Sequence, residues 1–163
     1  MTNNKALIQC AYDCGFTESL NRLGFILGPD KFWFYRIRGD YIDLVMFWLL
    51  SNKKFMTVPV DCQKLALIPG YQEEKFPSNF IKGFGQVSGY FIDEEEICFG
   101  SWGWDVRDTC SIEKALNDIL IVIENSAEPW FQSITDDQKM FNSYSLAFRE
   151  SESGTKLKEK LDF

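Results

Sequence analysis

The chain has 163 residues, of which 45% are apolar and 16% aromatic, and its formal net charge is −7. A chain of this length can form one domain with a sizeable core that needs no disulfide or metal to hold it together. The negative charge disfavours nucleic acid as a partner, because phosphate binding needs clustered lysine and arginine.

Two short helices are predicted at the start of the chain. Apolar residues recur at helical spacing over Asn3–Cys14, and Gly15 suits the end of that helix. Thr17 is a candidate N-cap for a second helix that ends at Gly24. Gly28-Pro29-Asp30 is a turn signal that precedes the first predicted strand.

The stretch Phe32–Val60 is predicted to be the centre of the fold, because it carries three strand-like runs. The side chains of Phe32–Ile37 alternate between the two faces of a strand, and Gly39-Asp40 is a two-residue hairpin signal. The second strand, Tyr41–Leu50, therefore returns antiparallel to the first, and Lys54–Val60 forms the third.

The second of these strands belongs in the middle of the sheet. Asp43 is the only charge in an otherwise nearly apolar run, and a strand that is apolar on both faces must be covered on both sides. Pro59 places the end of the third strand at an edge or a bulge, because proline cannot donate to a strand ladder.

The region after the third strand is harder to assign. Residues 61–84 exceed the usual length of a loop, so they contain further structure or a functional segment. A second hairpin is predicted from Gln86–Ile92 and Glu95–Trp104, with Asp93 and Glu94 at its tip.

Helices are predicted for the rest of the chain. Ser111 is a candidate N-cap for the clearest of them. Pro129 suits the first turn of a short helix, and Thr135 with Gln138 matches a capping box. Beyond Arg149 the chain reads as a polar tail or a solvated helix. The apolar stripe of the clearest helix comprises Ile112, Ala115, Leu116, Ile119, Leu120 and Ile123.

This order of elements predicts an α+β fold. Strands that are segregated from helices favour a mostly antiparallel sheet of about five strands, with helices from both chain ends packed on one face. We expect residues 1–150 to form a single domain and residues 151–163 to form a polar C-terminal tail.

Catalytic, cofactor and metal sites are not predicted. The chain has no histidine, so histidine-dependent catalytic triads are excluded. Cys10 and Cys14 would share one helix face, but five scattered cysteines without histidine suit neither a zinc site nor a disulfide framework. The acidic tract Asp93–Glu96 lacks the spacing of a calcium loop and suits a solvated hairpin tip.

The second hairpin is the predicted functional surface. Trp102 and Trp104 are two residues apart and share one face of a strand, where they form either core or an aromatic platform beside the acidic tip. Tryptophan with carboxylates at the rim is typical of protein-binding hot spots. The predicted partner-binding residues are Asp93, Glu94, Glu95, Trp102, Trp104 and Asp105.

Part of the chain resembles a known bacterial family. Leu23-Gly24-Phe25, the aromatic-arginine strand at Phe34-Tyr35-Arg36 and the hairpin that follows are similar to domain of unknown function 4304 over residues 15–60. The resemblance implies a small α+β protein and transfers no site residue. In size, acidity and tryptophan content the chain also resembles the immunity proteins of polymorphic toxin systems.

These observations predict a non-catalytic, cytoplasmic protein-binding module, without cofactor, nucleic acid or membrane partner. The start of the chain has no basic segment followed by a long apolar run, which is the pattern of a secretion signal. The net charge either maintains solubility or forms an acidic face for a basic, toxin-like protein. The alternative function is small-molecule binding in an aromatic-lined cavity between sheet and helices.

Overall fold

The computed structural model describes residues 3–49, 54–68, 70–77 and 103–163, and all elements named below lie within them. Two single turns of 3-10 helix span Leu65–Leu67 and Glu73–Lys75, and one π-helical turn spans Ile123–Ala127. The helices are α1 (Asn3–Asp13), α2 (Phe16–Arg22), α3 (Thr109–Val122), α4 (Glu128–Ser133), α5 (Asp137–Asn142), α6 (Leu146–Arg149) and α7 (Glu152–Lys160). The strands are β1 (Ile26–Leu27), β2 (Trp33–Arg38), β3 (Tyr41–Met46), β4 (Trp48–Leu49), β5 (Phe55–Thr57), β6 (Val60–Lys64) and β7 (Trp104–Asp105).

The described strands form two antiparallel sheets, in the orders β1-β2-β3-β6 and β4-β5-β7. The α+β class is confirmed, whereas the prediction of one sheet of about five strands is only roughly matched. The difference arises because two predicted strands are each divided between the sheets. Tyr41–Leu50 breaks at Phe47, and Lys54–Val60 breaks at Pro59, whose carbonyl accepts the Met46 N–H at 2.9 Å.

The hairpin between β2 and β3 is confirmed. Arg38 pairs with Tyr41 across a loop of only Gly39 and Asp40, and Gly39 has a φ of 59°, which glycine adopts without steric cost. Because this short loop fixes the register, Arg36 lies directly opposite Asp43.

The middle strand β3 is covered on both faces, as predicted. One face contributes Val45 to the main core, which it shares with residues of helices from both ends of the chain, including Leu20 and Leu116. The other face contributes Leu44 to a second core, which Ile68 helps to close. The described residues of the 61–84 region, predicted to hold further structure or a functional segment, thus contain most of β6 and part of the cover of the second core.

Gly15 both ends α1 and begins α2. Its φ of 78° lies in the left-handed region, which confirms the predicted end of the first helix. The chain turns so sharply here that α2 starts at Phe16 and Thr17 lies inside the first turn. The prediction that Thr17 caps this helix is therefore wrong.

Aspartates cap α3 and α5 in place of the predicted hydroxyl residues. Asp108 accepts the backbone N–H of Ser111, and Asp136 accepts that of Lys139, both at 2.8 Å. The predicted caps Ser111 and Thr135 are therefore wrong. Each has an aspartate within three residues, and an ionised carboxylate also interacts favourably with the helix dipole.

Between α3 and α4 the helical path widens into the π-turn. Pro129, in the first turn of α4 as predicted, has no N–H to donate and its ring would crowd the carbonyl four residues earlier. A π-turn accommodates such a residue without ending the helical path.

None of the helices in the described ranges has the length and apolarity that would be required to cross a bilayer.

The last helix packs closely against its neighbour. Leu161 at the end of α7 is buried in the main core, and Gly154 approaches the backbone of α6. A methyl group on Gly154 would lie 2.2 Å from the Phe148 carbonyl oxygen, too close for either backbone to accept unchanged. The C-terminal segment is therefore fitted to the domain at this residue.

Replacing Gly154 with alanine should lower the free energy of unfolding by about 1–3 kcal/mol, because overpacking against backbone forces α7 away from α6. Urea unfolding followed by circular dichroism measures the change. Ser153→Ala adds no crowding at an exposed position of the same helix, and should stay within about 0.5 kcal/mol of the native chain. A stabilised Gly154→Ala variant would contradict this packing, since alanine favours an isolated helix over glycine.

Candidate functional site

Two of the six predicted partner-binding residues lie in the described part of the chain. Trp104 and Asp105 form β7, which pairs with β5 at the edge of the second sheet. Asp93, Glu94, Glu95 and Trp102, together with the rest of the predicted second hairpin up to residue 102, lie outside the described residues.

Trp104 joins β7 to the polar side of α3. Its ring is half-buried and packs against the main core, while its indole Nε1–H donates to an Asp118 carboxylate oxygen at 2.6 Å. The side chain is therefore neither fully core nor fully surface. A tryptophan with an apolar body and a hydrogen-bonded polar edge is typical of an interface position.

A groove of about 410 Å³ runs between β7 and α3 and is open to solvent. The aromatic ring forms one wall of the groove. Carboxylates and a lysine from β7 and α3 form much of the remaining lining. The lining residues are Trp104, Asp105, Ser111, Lys114, Ala115 and Asp118.

Hydrogen bonds hold two carboxylates near this groove, Asp105 and Asp108, in their charged form. Hydrogen bonds from the Arg107 side chain and backbone lower the pKa of Asp105 below its usual value. The backbone N–H of Ser111 does the same for the pKa of the capping residue Asp108. Both groups are therefore ionised at neutral pH.

A second groove, of about 330 Å³, lies on the other flank of α3, against α1. Carboxylates from both helices line it together with two thiols, and no lysine or arginine is among its lining residues. These residues are Ala6, Gln9, Cys10, Asp13, Cys14, Thr109 and Glu113. The first half of α3 thus contributes residues to both grooves.

No family model, curated protein or solved structure matches this chain. The resemblance of residues 15–60 to domain of unknown function 4304 therefore stays a prediction. What the site does must be inferred from its own geometry.

Sequence reasoning missed α3 as part of the surface. Asp118 is fourteen residues from Trp104, and no local pattern links the two side chains. The signal that was available is the polar face of the amphipathic helix, where Glu113 and Asp118 are exposed opposite the predicted apolar stripe. Ile121, which is 56% exposed, interrupts that polar face with an apolar side chain.

The other concentration of charge is buried and structural. Asp43 accepts hydrogen bonds from Arg36 at 2.9 and 3.1 Å and from Arg38 at 2.8 and 2.9 Å. Arg36 also donates to the Leu23 carbonyl at 2.8 Å and to Glu128 at 2.9 Å. These contacts tie α2 and α4 to the central sheet, and the cluster lines neither groove beside α3.

Proposed function

We propose that this protein is a non-catalytic, cytosolic protein-binding module of the immunity type, which binds a basic, toxin-like domain through the face that α3 dominates. The observation that carries the proposal is the hydrogen bond between Trp104 and Asp118. It fixes an aromatic ring and a carboxylate at the wall of one open groove, which is how hot spots of protein interfaces are commonly built.

The charge around α3 supports a basic partner. Carboxylates outnumber cations in the two grooves and at their rims, and complementary charge accelerates association and selects partners. Of the residues that line the grooves, Asp13, Asp105, Glu113 and Asp118 are carboxylates and Lys114 is a cation; Asp108, Arg107 and Lys54 lie close to β7 and the start of α3.

The pockets lined by described residues suit protein binding better than the small-molecule alternative. The apolar cavity beside Phe34 and Phe47 has a volume of about 10 Å³, enough for one water at most. Small-molecule pockets usually enclose several hundred Å³ and bury most of their ligand. The two grooves beside α3 are open to solvent, and open grooves suit the side chains of a protein partner.

Trp104→Ala should weaken binding of the natural partner by about 2 kcal/mol or more, because truncating a hot-spot aromatic removes buried area and frees Asp118. The partner is obtained by affinity capture from the native cell, identified by mass spectrometry, and titrated as a purified protein by calorimetry. Its association rate should fall steeply between low salt and physiological salt, since exposed charges are screened over a Debye length of roughly 8 Å.

Asp118→Asn separates charge from structure at the same position. The amide oxygen still accepts the Trp104 indole N–H, so the fold is kept while one negative charge is lost, and the association rate should fall. Glu159→Gln removes the same charge from an exposed position on α7 that lines neither groove, and should leave the rate unchanged. Equal effects of the two variants, or a captured partner with an acidic surface, would sink the proposed binding face.

A further inference from the structure

The groove between α1 and α3 contains two thiols that the proposed protein-binding function does not use. Cys10 and Cys14 are four residues apart at the end of α1, so their side chains share one face, and both line the groove. Cys10 is 7% exposed and Cys14 is half-buried, and both are free thiols. The thiols thus form the floor and the entrance of one accessible site.

The surroundings of the thiols attract cations. Asp13 and Glu113 line the same groove from α1 and α3, and Gln9 donates to the Asp13 carboxylate at 2.9 Å. Burial, followed by the Cys14 thiol and these two carboxylates, raises the pKa of Cys10 to about 11. Cys10 is therefore a protonated thiol at neutral pH, and a bound cation has to displace its proton.

The number and type of ligands select the cation. Among the described residues, no group of three or more cysteine, aspartate or glutamate side chains is arranged to hold a metal, so the four-ligand shell of zinc is not provided here. Soft thiolates prefer Cu(I), which also accepts two-coordinate, linear geometry. We propose that Cys10 and Cys14 form a two-thiolate site for a soft monovalent cation of the Cu(I) class.

Binding of Cu(I) to the two thiols involves no change in oxidation state. Each thiol releases its proton to water, two sulfur–copper bonds form, and the copper remains Cu(I). Since proton release accompanies binding, the apparent affinity should rise with pH.

The test uses the full chain and Cu(I) itself, titrated anaerobically at neutral pH against a chromogenic Cu(I) chelator. We expect one Cu(I) per chain, and X-ray absorption at the copper edge should show two sulfur neighbours. Cys14→Ser should lower the affinity by at least about 100-fold, because a ligand is lost rather than an outer-shell contact. Cys110→Ser, an exposed thiol outside the groove, should leave the affinity unchanged.

Three results would overturn the site. They are retention of Cu(I) by Cys14→Ser, an equal loss in Cys110→Ser, and an absorption spectrum with one sulfur neighbour. Because Cys10 lies in the core, Cys10→Ser is judged only with its thermal unfolding curve, and the half-buried Cys14 decides the outcome. The association with the basic partner is measured separately, so failure of one proposal leaves the other standing.

Discussion

Asp43→Asn is expected to lower the free energy of unfolding by about 3–5 kcal/mol, because it removes the buried anion that Arg36 and Arg38 share and leaves Arg38 without a carboxylate partner in the cluster. The Asp43 side chain is 0% exposed and accepts from both Arg36 and Arg38. Asparagine has nearly the same shape, so the cost comes from charge and hydrogen bonding rather than from a cavity. The NH₂ group of its side-chain amide would also face N–H groups of the two arginines, and two donors cannot form a hydrogen bond. Urea unfolding at neutral pH, followed by circular dichroism and fluorescence, measures the loss.

Asp40→Asn is the matched control for this change. Asp40 is exposed in the hairpin turn that joins the same two strands, so its substitution should stay within about 0.5 kcal/mol of the native chain. A loss below about 1 kcal/mol in Asp43→Asn would show that water reaches the cluster. A double-mutant cycle of Arg38→Ala with Asp43→Ala should then give no coupling, whereas a buried contact gives about 0.5–3 kcal/mol.

More of the charged cluster is predictable from the sequence than the predictions above include. Asp43 stands out as the one charge in an apolar strand, and the Gly39-Asp40 turn alone places Arg36 and Asp43 opposite each other. What no local pattern contains is the contribution of Glu128, which is 92 residues from Arg36. Its position depends on the π-turn before α4, a feature that propensity does not specify.

The division of two predicted strands between the two sheets shows the same limit of prediction from local sequence. The predicted strand over Tyr41–Leu50 is correct in its composition, but nothing in an apolar run marks Phe47 as the point where the chain changes sheet. Pro59, predicted to place the end of the third strand at an edge or a bulge, lies between β5 and β6, and β6 is an outer strand in the order of its sheet. Periodicity predicts that residues are extended, whereas the choice of pairing partner is made by tertiary packing.

Of the candidate site, too, one part is predictable from local sequence and the other is not. Trp104 and Asp105 were singled out because aromatic and acidic residues are close in the sequence, and the structure places both on one groove. Asp118 and Glu113 come from a helix whose polar face reads as ordinary solvent contact. Only the packing of β7 against α3 makes Asp118 part of the wall of a groove.

Phe131→Ala should destabilise the fold by about 3–5 kcal/mol, since it removes a large buried ring and leaves a cavity. Phe131 is 0% exposed, and its ring centroid lies 5.7 Å from that of Phe25. The Arg36 guanidinium lies 4.4 Å from the Phe25 centroid and 5.7 Å from that of Phe131, within the range of cation–π attraction. The substitution therefore also removes the aromatic ring that packs against Arg36 on one side of the charged cluster.

Phe131→Leu distinguishes the two contributions. Leucine fills most of the volume, so the cavity cost should fall to about 1–2 kcal/mol, while the aromatic contact with Arg36 is lost in both variants. Tyr12→Ala removes an aromatic ring that is 74% exposed and should change stability by less than about 0.5 kcal/mol. If leucine is as costly as alanine, the ring matters chiefly for holding Arg36, and Phe131 and Asp43 should then couple strongly in a double-mutant cycle. If leucine restores most of the stability, packing dominates and the charged cluster is held by its own hydrogen bonds.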